Sequence, residues 1–125
     1  MRTIIALILS ITILSCGGKS DSSEREALYN KVMDVHDAVM PKMDDIYKQK
    51  TALTEKLATK PADSLEIRQK ITKLDAADKA MMDWMHQFNP PDEKTSDEEA
   101  KTYLEDQYQK VTEMQKFVDE AIAGK

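Results

Sequence analysis

The chain has 125 residues, 33% of them charged and 6% aromatic, with a formal net charge of −5. Its three glycines are Gly17, Gly18 and Gly124, so residues 19–123 contain none. That gap excludes a glycine-rich phosphate loop, a dinucleotide fingerprint and the glycine-bearing turns of an all-β domain, and the acid excess argues against nucleic acid as a partner.

The first element in chain order is a targeting signal over residues 1–15. Arg2 and the amino terminus supply a positive start, and an apolar run follows from Ile4 to Leu14, broken only by Ser10 and Thr12. Such a run is too short to cross a bilayer, which needs about 20 residues, so it reads as a secretory h-region. It ends in Ile13-Leu14-Ser15-Cys16, which resembles a bacterial lipobox: an aliphatic residue three before the cysteine and a small residue just before it. The resemblance implies cleavage before Cys16 and lipidation of its sulfur, and it accounts for the chain's one cysteine. Stable anchorage follows from two or more acyl chains. The mature chain keeps 17 basic and 23 acidic residues once Arg2 is removed, a net charge of −6. Residues 16–23 read as the lipidated cysteine and a polar tether. The segment Lys19-Ser20-Asp21-Ser22-Ser23-Glu24 also resembles the acidic stretch that sends some bacterial lipoproteins to the cell surface.

Residues 24–125 divide into three stretches of helical period, each opened by a capping-box pattern: Ser23 with Glu26, Asp63 with Glu66, and Ser96 with Glu99. The first helix is expected over 24–58, with Leu28, Val32, Val35, Val39, Ile46, Leu53 and Leu57 as its apolar stripe. Pro41 removes one backbone hydrogen bond and crowds the carbonyl of Asp37, which predicts a kink, or two helices meeting at 39–41. The second helix is expected over 64–88, with Ile67, Ile71, Leu74, Met81, Met85 and Phe88 inward and Asp78 interrupting; Asp78 is expected to pair with a lysine such as Lys79 or Lys110, or to be solvated. The third is expected over 97–123, with Ala100, Leu104, Gln107 or Tyr108, Val111, Met114, Val118 and Ala121 inward, and Gly124 past its end. Proline in both connections stops the preceding helix, and short connections make neighbours antiparallel. The expected fold is all-α: an up-down-up antiparallel three-helix bundle, coiled-coil-like, with a kinked first helix.

Seven methionines remain after cleavage, and six fall in two windows. Met33, His36, Met40 and Met43 share one stripe of the first helix. Met81, Met82, Met85 and His86 lie on the second, with Met82 and His86 four apart on one face. With the first turn centred near residue 60, residue i of the first helix lies beside residue 120 − i of the second, so His36 faces Trp84. The second turn, centred near 92–93, would bring residues 100–104 beside 81–85. Both histidines, Trp84 and the methionines then fall in one layer at the level of Pro41. Flexible thioethers fill irregular gaps in a core, and they also line partner-binding grooves. Thioether and imidazole together select Cu(I) or Ag(I), with His36, Met40, Met82, Met85 and His86 as the candidate ligands.

The strings Val32-Met33-Asp34-Val35-His36-Asp37-Ala38-Val39-Met40-Pro41-Lys42-Met43 and Met81-Met82-Asp83-Trp84-Met85, together with the acidic helix start Ser96-Asp97-Glu98-Glu99, resemble small bacterial lipoproteins labelled "viral A-type inclusion protein". The resemblance implies a lipoprotein of helical character over nearly the whole mature chain, and no activity or site residues. Carboxylates fall on exposed faces and in first helical turns, where they complement the helix dipole, and no nucleophile sits beside a base. The expectation is therefore a lipid-anchored helical envelope protein of structural or protein-interaction type, not an enzyme and without a cofactor. Its partners are the membrane, through the lipid on Cys16, and a protein docked on an exposed face. The alternative is a Cu(I)/Ag(I)-binding protein using the methionine–histidine layer.

Overall fold

Three amphipathic segments fold as three helices packed on one another in a computed structural model, which describes residues 21–60 and 64–124. They are α1 (Asp21–Thr59), α2 (Ser64–Gln87) and α3 (Asp97–Ile122). Among the described residues 88% are helical and none forms a strand, as an all-α three-helix bundle requires.

Side-chain pairs fix the directions. Glu24 with Lys101, Lys42 with Asp119 and Gln49 with the Ile122 carbonyl join α1 to α3 with numbers rising together, so these helices run parallel. Tyr29 with Phe88, His36 with Trp84 and Lys50 with Asp75 join α1 to the α2 segment with numbers running oppositely. The topology is up-down-up.

The core follows a seven-residue repeat. In α3 the buried residues are Ala100, Leu104, Gln107, Val111, Met114, Val118 and Ala121, spaced alternately by four and three, which is the predicted stripe with Gln107 inward and Tyr108 out. In α1, Val32, Val39 and Ile46 recur every seventh position and are essentially inaccessible. This periodicity keeps one seam of each helix against its neighbours, as in coiled coils. In α2 the inner line runs through Ile67, Leu74, Ala77, Met81 and Trp84. The predicted stripe put Ile71 and Met85 in this line; both are half-buried beside it. Asp78 therefore does not interrupt the seam, because the small side chain of Ala77 carries it past that level.

Asp78 shares the Lys50 ammonium with Asp75, at 3.8 Å from Asp78, which corrects its expected partners. Lys79 pairs with Asp83 and Lys110 with Asp106, each one turn away on its own helix. Lys50 reaches Asp78 instead because α1 passes on that side of α2. The hydrogen bond and charge of Asp75, against some desolvation, hold the Lys50 ammonium above its ordinary pKa.

The helix ends divide into three cases. Ser96 caps α3 with its full reciprocal box: its hydroxyl accepts from the Glu99 N–H, and its own N–H reaches the Glu99 carboxylate. Gly124 follows α3 with φ of +72°, a left-handed position that favours glycine, and its N–H closes on the Ala121 carbonyl. The first predicted cap is corrected. Helix α1 already includes Asp21, Ser22 and Ser23, so Ser23 lies within the first turn instead of capping it. Asp63, Cys16, the signal and Gly17–Ser20 of the predicted tether lie outside the described residues. Helix α1 also passes through Pro41 as one helix, which excludes two helices meeting there. Met40 and Pro41 are exposed, so the carbonyl that loses its donor faces water, while Val39 and Ile46 stay buried on either side.

Candidate functional site

The end of the bundle where α1 and α3 begin carries its most differentiated chemistry. Trp84 on α2 is 7% exposed, and its ring lies 4.9 Å from Phe88 and 6.0 Å from the His36 ring. Phe88 also stacks on Tyr29 of α1 at 6.4 Å and on Tyr103 of α3 at 6.2 Å. Five rings from three helices and one loop thus form a continuous aromatic layer. Offset aromatic contacts of this kind add to simple area burial.

Polar atoms in the layer are matched. The Trp84 indole N–H donates to Gln107 Oε1 at 3.0 Å, and the Gln107 amide donates to Asp106. The Tyr103 hydroxyl accepts from the Asn89 N–H at 2.9 Å. Among the described residues Gln107 is the one buried polar side chain, and no buried side-chain nitrogen or oxygen is left unbonded.

Above this layer Arg25 of α1 holds the α2–α3 connection. Its guanidinium donates to the carbonyls of Pro91 at 2.7 Å, Asp92 at 2.6 Å and Thr95 at 3.3 Å, and lies 3.8 Å from the Asp97 carboxylate. Within the connection, Asp92 accepts from the N–H groups of Lys94 and Thr95 and from the Thr95 hydroxyl. These bonds, the backbone N–H of Lys94 foremost, hold the Asp92 carboxyl below its ordinary pKa. A cleft of about 490 Å³ opens beside Arg25, walled by Tyr29, Pro90, Pro91 and Leu104.

His36 meets Trp84, as the register of the first turn predicts. The second-turn register is different. Residues 100–104 do not lie beside 81–85: Trp84 bonds Gln107 and Phe88 stacks on Tyr103. The first turns of α3 run alongside the connection instead of α2. Pro90 and Pro91 keep that connection extended, and Arg25 and Tyr103 pin it down.

The candidate metal ligands share a level but not a face. Met85 packs half-buried against the core, and Met81, next to the predicted set, is wholly buried. Met40 is 36% exposed, Met82 is 43% exposed and His86 is exposed. Two residues along a helix turn the side chain by about 200°, so His86 points away from the side on which Trp84 meets His36. The His36 Nδ1 lies 2.8 Å from Asp37 Oδ1. Among the described residues no three or more His, Cys, Asp or Glu side chains are grouped to hold a metal ion.

Sequence reasoning missed Tyr29, Phe88 as a ring hub, Tyr103 and Arg25. Tyr29 and His36 are seven apart, as are Val32, Val39 and Ile46 of the core seam, and that spacing carries the signal. The Arg25 contacts reach 66 to 70 residues along the chain and have no local signature.

No family model, curated protein or solved structure matches the chain.

Proposed function

We propose that the chain is a lipid-anchored helical protein of the bacterial envelope, structural or protein-binding in role and without catalysis. The observation that carries this reading is the position of Cys16, the lipobox cysteine, five residues ahead of a helix of 39 residues that runs unbroken. At 1.5 Å per residue α1 extends roughly 58 Å, so a lipid on Cys16 would hold a stiff rod on a short leash. No helix among the described residues is long and apolar enough to cross a membrane, so in this reading the acyl chains carry the attachment. The interior supports a scaffold: the one buried polar side chain among the described residues, Gln107, is spent on a structural bond to Trp84.

The test is metabolic labelling with a fatty acid, together with fractionation of the wild type and Cys16→Ala in a lipoprotein-processing bacterium. Label on the wild type alone, with the variant released from membranes by high salt, supports the anchor. An unlabelled wild type, or a variant that stays on the membrane, overturns it.

The second reading is Cu(I) or Ag(I) binding. It draws on the ring of His36, oriented by Asp37 on the α1 stripe that also carries Met40, with Met85 near the same seam. Met82 and His86, on the outer side of α2, would bind only by bridging to a second surface. Titration of the bundle with Cu(I) against a chromogenic chelator decides it: sub-micromolar competition, lost in His36→Ala, supports the site, and no competition eliminates it.

A further inference from the structure

Charge is distributed unevenly along the rod. The end that holds the start of α1, the α2–α3 connection and the start of α3 gathers acids from three separate stretches of sequence: Asp21, Glu24 and Glu26, Asp92 and Glu93, and the run from Asp97 to Glu99. The opposite end is formed by the last turns of α1, the first turns of α2 and the last turn of α3, whose Ile122 carbonyl accepts from Gln49. There, among the described residues 47–60, 64–73 and 120–124, seven basic side chains stand against three acidic ones, Glu55, Glu66 and Glu120.

Some of that basic charge is satisfied internally. Lys50 serves Asp75 and Asp78, and Lys70 pairs with Glu66. The outward set is Lys48, Lys56, Lys60 and Arg68, all exposed. Lys48, Lys60 and Arg68 have no ion-pair partner among the described residues, and Lys56 acts on Glu66 only through its field. The threonine hydroxyls of Thr51, Thr54, Thr59 and Thr72 are engaged, each donating to a backbone carbonyl one turn back on its own helix. The tip therefore offers cationic groups to a partner and few neutral donors. Apart from Tyr47 and Leu65 its described residues expose no large apolar side chain, and so they form no apolar face of the kind that seats a helix in a bilayer.

We propose that this tip is a docking surface for linear inorganic polyphosphate. Lysine dominates the set, and an ammonium on a flexible stem is a point charge that follows a repeating anion without demanding fixed bidentate geometry. Binding of this kind is carried by counterion release and weakens steeply with salt. The acidic opposite end repels the same polymer, so only one end of the rod engages it. That the tip stands away from the membrane rests on the lipid-anchor reading; the charge of the tip does not.

The probe is long-chain inorganic polyphosphate, and the protein is residues 17–125, which contain all three described helices and the contacts between them. Binding at low salt is expected, falling as salt rises. Lys48→Gln/Lys56→Gln/Lys60→Gln/Arg68→Gln lowers affinity about tenfold or more, whereas Lys31→Gln/Lys94→Gln/Lys110→Gln/Lys116→Gln changes it less than about twofold. Circular dichroism checks that both variants keep the fold. Absence of binding, equal loss in both variants, or binding to anionic phospholipid vesicles with no binding to polyphosphate overturns the proposal. Because the protein used lacks Cys16, the result is independent of whether the anchor is real.

Discussion

The indole N–H of Trp84 and the side-chain carbonyl of Gln107 meet at 3.0 Å inside the bundle, joining α2 to α3 through its buried polar bond. Removing the acceptor leaves a buried donor without a partner, which costs about 1–3 kcal/mol. Gln107→Leu is expected to lower stability by that amount in urea unfolding followed by far-ultraviolet circular dichroism, a probe that survives loss of the chain's single tryptophan. Trp84→Phe with Gln107→Leu should cost less than the sum of the two single changes. An additive pair would show that the bond contributes nothing.

Met81 and Met82 are adjacent in sequence and opposite in environment, one wholly buried and the other 43% exposed. Truncating a buried methionine to alanine costs about 2–5 kcal/mol, whereas surface changes stay within about 0.5. Met81→Ala should therefore shift the unfolding midpoint strongly and Met82→Ala hardly at all.

Arg25 binds three carbonyls of one connection, a geometry that needs the planar guanidinium fork. Arg25→Lys is expected to lose nearly as much as Arg25→Ala, about 1–2 kcal/mol given the partial exposure. Hydrogen exchange at Lys94 and Thr95 should quicken in both variants. Rescue by lysine would mean that charge alone, near Asp97, holds the loop.

The Asp92 carboxylate accepts from the loop and has a depressed pKa. With the folded value below the unfolded one, its contribution is complete above about pH 4 and fades as pH falls through the folded value. The protection of the Thr95 amide, taken relative to its intrinsic exchange rate at each pH, should fall on acidification below that point in the wild type. In Asp92→Asn that fall should be absent, with protection already lower at neutral pH.

Pro41 deprives the Asp37 carbonyl of its helical donor within a continuous helix. Pro41→Ala restores the N–H and is expected to stabilise the bundle by up to about 3 kcal/mol. A lower melting temperature would show that the packing of Val39 and Ile46 depends on the proline.

Much of this molecule is written locally. The seam of α3, from Ala100 to Ala121, follows from apolar spacing, because a helix buries whatever recurs every three and four residues. The Ser96 box and Gly124 are similarly local, since a cap involves only four residues. Helix α1's register against α2 was legible as well, because a short connection leaves a helical hairpin little freedom. The aromatic layer was not: Tyr29, Phe88 and Tyr103 come from three separate stretches and carry no shared local pattern. Asp78 shows the same limit, since a lysine 28 positions earlier in the chain, not a neighbour on its own helix, supplies its countercharge. The α2–α3 register failed for a related reason: Pro90 and Pro91 extend the connection, and Arg25, far away in sequence, fixes where it lies. The amino-acid sequence by itself determined three helices, the ends of α3 and most of the inward-facing residues, because those depend on interactions a few residues long. Only the tertiary structure decided which rings meet, which methionines reach water and which charges gather at each end, because those depend on the packing of segments far apart in the chain.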